Sequence, residues 1–419
     1  MGATDRYLII SSDCHAGLPC PEYRPYLDSK YTAAFDDFLA EKQADRDAKM
    51  AENADYINAW EEQEGLQGAW DSVRRDKELN ADGVAGEVLF PDADAITGME
   101  SPPFGAGLSA GAIADPELAF AGARAHNRFL AELCAVNPSR RAGVALVPIS
   151  HDVDRAVAEI EWAAENGLRG GILIPTMWHH RTPYHDASYD RVWAACQAHD
   201  MPAHTHSGEA PQDEYGDNIG IYLAEVVWWA ARPMWFLLFS GAFERFPQLK
   251  YVVTESAAYW AADMLWKWDT YLGGGHTTKK LAAQLAGKVS RLPSEYFGDN
   301  IFIGASTMSR EEVRRRYVIG VETLMWGNDF PHPEGTWPNT VAKLKETFHD
   351  VPVEDATKML GTVAASVYNF DVATLRTLAD EIGPTPSDLG QDPALAVDRE
   401  AVEAARWWKE GLVAPGSVT

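Results

Sequence analysis

LIISSDCHAG, residues 8–17, starts as an apolar run and ends on an aspartate and a histidine one residue apart. Along an extended strand, residues i and i+2 face the same side. Asp13 and His15 therefore project together from the end of a first strand. Further short apolar runs follow at GEVLFP (86–91), AGVALVP (142–148), GGILIP (170–175), MPAHTH (201–206), LKYVVTE (249–255), NIFIGAS (300–306) and TLMWGND (323–329). Helix-patterned segments such as DVDRAVAEIEWAAENG and SREEVRRRYVIG lie between them. Strands alternating with helices imply parallel βα units. A count of eight strands favours an α/β fold closed as a (β/α)8 TIM barrel.

Two stretches depart from the repeat. Residues 20–80 carry a charge-rich helical pattern and predict a helical insertion after strand one, beside the barrel mouth. Beyond residue 370, a Pro-, Gly- and Asp-rich link leads to DREAVEAARWWKEGL. This predicts a barrel over 1–370 and a C-terminal helical arm over 371–419, suited to embracing a neighbour in a homodimer or higher homo-oligomer. The most apolar run, VVWWAARPMWFLLF (226–239), is too short to span a bilayer and reads as a buried helix broken near Pro233.

Composition narrows the partners. Lys and Arg total 36 against 62 Asp and Glu, a net charge of −26. Such a chain repels phosphate backbones, so nucleic acid is excluded and no membrane partner is expected. Four irregularly spaced cysteines form no disulfide framework, and the first residues carry no secretory pattern. A reducing cytoplasm and a small-molecule substrate are the expectations.

In this architecture, chemistry sits at the C-terminal ends of the strands. There stand Asp13 and His15 (strand one), His204 and His206 (strand five), Glu255 (strand six) and Asp329, followed by His332 (strand eight). Asp13, His15, His206 and Asp329 make a mixed nitrogen and oxygen set that suits Zn²⁺, with Mn²⁺ as the alternative. Arg181, in the loop after strand four, is a candidate contact for an anionic substrate group.

The stretches SSDCHAG, SGAFERFPQLKYVVTESAAYW and WGNDFPHPEG, in that order, resemble the amidohydrolase superfamily. The likeness is to the amidohydrolase-related branch that contains aminocarboxymuconate-semialdehyde decarboxylase and γ-resorcylate decarboxylase. The resemblance implies one divalent metal on Asp13, His15, His206 and Asp329, because the lysine that bridges two metals in other branches is absent from strand four. It selects His206 over His204 as ligand, leaving His204, His332 and Arg181 as surrounding or substrate contacts. Relatives carry histidine where this chain has Glu255, so Glu255 joins Asp329 as a candidate catalytic group. Two chemistries use such a centre. The first reading is a hydrolase acting through metal-activated water on a small aromatic or cyclic substrate. The alternative is a non-oxidative decarboxylase of an aromatic acid, and a non-catalytic binding barrel is the third reading.

Overall fold

The computed structural model describes residues 5–62, 64–94, 96–216, 218–273 and 288–413. The proposed arm's last residues, 414–419, and the first four residues lie outside them. Eight strands run in parallel and in sequence order: β1 (Ile10–His15), β2 (Gly86–Phe90), β3 (Arg141–Leu146), β4 (Gly171–Leu173), β5 (Ala203–His206), β6 (Tyr251–Thr254), β7 (Ile301–Ser306) and β8 (Leu324–Gly327). Backbone hydrogen bonds from Asp329 to the Asp13 carbonyl (2.9 Å) and from His15 to the Phe330 carbonyl (2.7 Å) join the end of β8 to β1. The eight strands thus form a nearly closed TIM barrel, as the alternating pattern implied.

The strands are apolar on both faces because both are covered. Val88, Val144, Leu173, Val252, Phe302 and Met325 fill the barrel interior. Ile172, Ala203, Val253, Ile303 and Trp326 pack outward against the helices. A representative helix, Val153–Glu165, buries Ala156, Ile160 and Ala163 along one face and is capped by Asp152, whose side chain accepts from the Arg155 amide. It ends at Asn166, before Gly167, whose φ of 80° lies in the left-handed region.

The region 20–80 is helical, with Thr32–Glu61 and Ser72–Ala81 as its main elements. One correction concerns residues 226–239. Helix Ile219–Ser240 runs through Pro233 without a break. Within 226–239 Trp228 alone is exposed, and the exposed Ile219 and Leu223 lie in the turns before that stretch. Apolar content predicted burial here, and the inner face is carried by Val226, Ala230, Met234 and Leu237 at helical spacing. Part of the C-terminal segment packs on the barrel of its own chain. Trp408 is buried and its indole nitrogen donates to Asp269 at 3.0 Å, while Arg406 donates to the carbonyls of Val318 and Ile319.

A buried charge cluster locks the insertion to the strands that carry the site. Arg75 is fully buried, and its Nε donates to both Glu87 oxygens at 2.9 and 2.8 Å. Its Nη1 donates to the carbonyls of His15 (2.8 Å) and Gly68 (2.9 Å). Glu87 also receives Arg141 Nε at 3.3 Å. Removing one partner from a buried charge pair leaves an uncompensated charge. Arg75→Met is expected to lower unfolding stability by ~3–5 kcal/mol, read as an earlier midpoint in urea denaturation.

Candidate metal centre

The register of β1 decides which way its polar residues point. Ile10 and Ser11 pair with Gly86 and Glu87, but Cys14 and His15 pair with Leu89 and Phe90. Three steps along β1 match two along β2, so an extra residue is accommodated between Ser11 and Cys14 as a bulge. Ile10 points into the barrel and Cys14 packs outward. The bulge therefore reverses the alternation and turns Asp13 and His15 inward. Gly327 on β8 makes room for them: a Cβ there would lie 2.7 Å from the Asp13 Cβ.

Asp13, His15 and His206 bring ligand-type atoms within 4.8 Å of one another at the mouth, and Asp329 joins them through His15. Asp13 Oδ1 is 3.5 Å from His15 Nε2 and 3.2 Å from His206 Nε2, and His15 Nε2 is 3.2 Å from Asp329 Oδ1. All four residues are buried. Donors bound tetrahedrally at about 2.1 Å lie roughly 3.4 Å from one another, and these three pairs have that spacing.

The imidazoles are held in the tautomer that a cation requires. His15 Nδ1 donates to the Pro91 carbonyl at 2.5 Å, and His206 Nδ1 donates to the Ser207 carbonyl at 2.8 Å. Each leaves Nε2 aimed inward as a ligand, the arrangement that outer hydrogen bonds impose on metal-bound histidines. His15 Nε2 and both oxygens of Asp329 have no hydrogen-bond partner although buried. Unsatisfied buried polar atoms are costly, and a divalent cation satisfies them together. Two nitrogens and two carboxylate oxygens fit such an ion.

Other groups surround the four. Ser306 Oγ donates to Asp13 Oδ2, and His332 sets Nδ1 2.9 Å from Asp329 Oδ1 while its Nε2 donates to the Asp92 carbonyl at 2.9 Å. The His332 ring stacks on His15 with centroids 3.9 Å apart. Burial alone would lower the His332 pKa, but Asp329 outweighs it and carries it to about 10. Glu255 places Oε2 3.1 Å from His206 Nδ1, the nitrogen on the far side of the ring from Asp13. Burial foremost, with Asp329 and Asp13 adding to it against the pull of His206, pushes the Glu255 carboxyl up to about 8.

Two expected contacts are placed elsewhere. His204 lies one layer deeper, with Nε2 donating to the Gly170 carbonyl at 3.0 Å and Nδ1 3.3 Å from the Thr254 hydroxyl. Alternation gave its side of the strand and not its depth. Arg181 donates to the carbonyls of Gly111 (2.8 Å) and Ile113 (2.6 Å), so its guanidinium braces a loop. Ser306 and Arg75 escaped notice in the sequence. A glutamate inside the apolar strand GEVLF was the available signal for Arg75, since a buried charge demands a partner.

Residues 12–370 match the sequence profile described as Amidohydrolase. The chain belongs to the amidohydrolase family. Within it, γ-resorcylate decarboxylase of Polaromonas sp. (strain JS666 / ATCC BAA-500) is 28% identical over 238 residues, covering 52% of this chain and 69% of that protein. γ-Resorcylate decarboxylase of Rhodococcus jostii (strain RHA1) is 26% identical over 283 residues, covering 62% and 80%. The fold is similar to that of dihydroxybenzoic acid decarboxylase from Polaromonas sp. JS666, solved with bound manganese and the inhibitor 2-nitroresorcinol. That similarity has a TM-score of 0.60 at 19% identity and covers 88% of this chain and 99% of that one. These similarities overturn hydrolysis as the first reading of this amidohydrolase, because the relatives are decarboxylases. Glu255, a candidate catalytic group, is set against the His206 imidazole at 3.1 Å.

Metal affinity should depend on pH through His206. Burial pulls its pKa down, but Asp13 and Glu255 outweigh burial and raise it to about 9. Below that value, without metal, Nε2 carries a proton that the cation must displace. Between pH 6 and 8 the apparent affinity for Mn²⁺ or Zn²⁺ is therefore expected to rise about tenfold per pH unit, levelling near pH 9. Competition with a chromophoric chelator measures it, and a flat profile would show that His206 does not ligate.

Proposed function

We propose that this amidohydrolase is a metal-dependent, non-oxidative decarboxylase of a hydroxylated aromatic acid, and so a lyase. The observation that carries the reading is the Asp329–His332 pair. It is buried, it lies against the ligand set, and at 2.9 Å it is close enough to hold one proton between Oδ1 and Nδ1. When bound, the divalent cation neutralises and orients the substrate carboxylate and an adjacent hydroxyl.

The reaction needs one proton and no water. The bond between ring carbon and carboxylate breaks, its electron pair stays on the ring carbon, and a proton fills that position as CO₂ leaves. The Asp329–His332 pair is the proton source, and its proton is renewed from solvent after each turnover. The Asp92 carbonyl fixes the His332 ring so that Nδ1 faces Asp329. Ser207 and Glu255 hold His206 in its ligating orientation, and Ser306 holds Asp13. Phe90, with its ring centroid 4.9 Å from that of His206, forms an apolar floor.

Zn²⁺ and Mn²⁺ both suit two imidazoles and two carboxylates. Manganese in the structural neighbour weighs toward Mn²⁺. We place the enzyme in the cytoplasm, a reading supported by four free, buried cysteines. Among the described residues, no helix is long and apolar enough to cross a membrane. We also take it to act as a homo-oligomer. Exposed Ile219, Leu223, Trp228, Trp266 and Trp407 support that, and light scattering of the full chain tests it.

The enzymatic reading is tested by supplying γ-resorcylate and related hydroxylated benzoates to the metal-loaded protein and following CO₂. Release of CO₂ is expected. His332→Gln, which spares all four ligands, should keep its metal yet slow turnover by ~10²-fold or more. A panel in which no hydroxylated benzoate yields CO₂ would end the proposal.

A further inference from the structure

We infer that Ser11 is a positioning residue for the candidate metal centre. Its hydroxyl pins the bulge of β1 to the chain that leaves β8, and so fixes where Asp13 and Asp329 point. This role belongs to the ligand set, whichever reaction the loaded enzyme performs.

Ser11 is fully buried and stands where the register between β1 and β2 slips. Its Oγ meets polar groups from both sides of the barrel seam. It accepts from the Asn328 amide at 3.0 Å and from the Asp13 amide at 3.4 Å. It donates to the Asp13 carbonyl at 2.8 Å or to Asn328 Oδ1 at 3.0 Å. A hydroxyl carries one proton and two lone pairs, so this one is used to capacity. Asn328 Oδ1 also receives Cys14 Sγ at 3.1 Å and the Phe330 amide at 3.4 Å. The clasp thus ties Ser11, Asp13 and Cys14 to Asn328 and Phe330, the residues on either side of Asp329.

A bulge takes backbone groups out of the strand ladder, and buried amides must then find partners elsewhere. Here the Asn328 amide pairs with a side-chain oxygen in place of a strand carbonyl. Without that oxygen the amide is left buried and unpaired, which is costly. The bulge is then free to relax, and a one-residue slip in β1 turns its side chains to the opposite face. Asp13 would leave the barrel axis, and the turn carrying Asp329 would lose its anchor. Ser12 provides the contrast. Its Oγ donates to the Met325 carbonyl at 3.3 Å, lower on β8, and touches neither Asn328 nor Phe330.

The test compares Mn²⁺ affinity of the full chain with that of Ser11→Ala, Ser11→Thr and Ser12→Ala. Free Mn²⁺ is read by electron paramagnetic resonance at one fixed pH, beside urea unfolding of the metal-free proteins. Ser11→Ala is expected to bind Mn²⁺ at least ~10-fold more weakly, the loss typical when an outer partner of a ligand is removed. Ser11→Thr, which keeps the hydroxyl, and Ser12→Ala are expected to stay within ~3-fold of the natural chain. A serine with a merely structural role would lower the urea midpoint and leave the affinity of the folded protein unchanged. If Ser11→Ala does not fold, Ser11→Cys, close in size but a weak acceptor, takes its place in the comparison. An unchanged affinity in that variant, or an equal loss in Ser11→Thr or Ser12→Ala, would overturn the inference. The predicted affinities in a protein that releases no CO₂ would uphold the role of Ser11 while sinking the decarboxylase reading.

Discussion

Two backbone hydrogen bonds hold the site together, because they close the barrel where it matters. The Asp329 amide donates to the Asp13 carbonyl, and the His15 amide donates to the Phe330 carbonyl. Each bond has a candidate ligand residue as donor. Closure of the cylinder and assembly of the candidate centre are thus coupled, since β1 cannot present Asp13 and His15 to Asp329 unless the segment after Gly327 is seated. Arg75 extends the same coupling outward. It clamps the His15 carbonyl from the insertion while it neutralises Glu87 on the neighbouring strand. Stability of the insertion and geometry of the centre are joined through one guanidinium.

The rim of the barrel holds strain that the interior must offset. Asp92, Glu255, Thr307 and Asp329, which follow β2, β6, β7 and β8, all have positive φ, at 60°, 52°, 46° and 58°. Such backbone costs on the order of 1–3 kcal/mol per residue and persists only where surroundings overdetermine it. Here the barrel interior and the helical layer do so. The left-handed turns re-aim chain ends so that a carbonyl (Asp92) or a carboxylate (Glu255, Asp329) faces the mouth. Asp and Glu at these positions, in place of glycine, accept backbone cost in exchange for a side chain.

Much of this arrangement is legible from residue order. Eight apolar runs between helical segments specify the barrel, and polar residues at their ends mark the candidate ligands, because a βα unit leaves its strand termini on one face. What escapes is whatever depends on depth or phase. The first strand starts at Ile10, later than its apolar run implies, and the bulge beyond Ser11 sets which face Asp13 occupies. Spacing tells that Asp13 and His15 agree with each other, and only pairing with β2 tells that they agree with the barrel axis. His204 shares the face of His206 and yet lies a layer below it. Arg181 shows the limit of reading charge as function, since its donors meet two carbonyls of a loop some seventy residues earlier in the chain.

Charge at the mouth explains why the ligand set alone did not discriminate between chemistries. A divalent cation held by Asp13 and Asp329 would have its charge neutralised by them. Glu255, raised to about 8 by burial first and by its acidic neighbours, is protonated near neutral pH and adds no charge, so protonated His332 beside Asp329 leaves one positive charge at the mouth. On the proposed function, a substrate carboxylate would bring that centre to electrical neutrality, with one mobile proton within reach. Loss of CO₂ removes the substrate's negative charge together with that proton, so the pocket passes through no state more highly charged than its resting one. Chemistry that consumes a carboxylate and a proton together is what this balance favours, and the group that sets the balance is the histidine three residues beyond the last ligand.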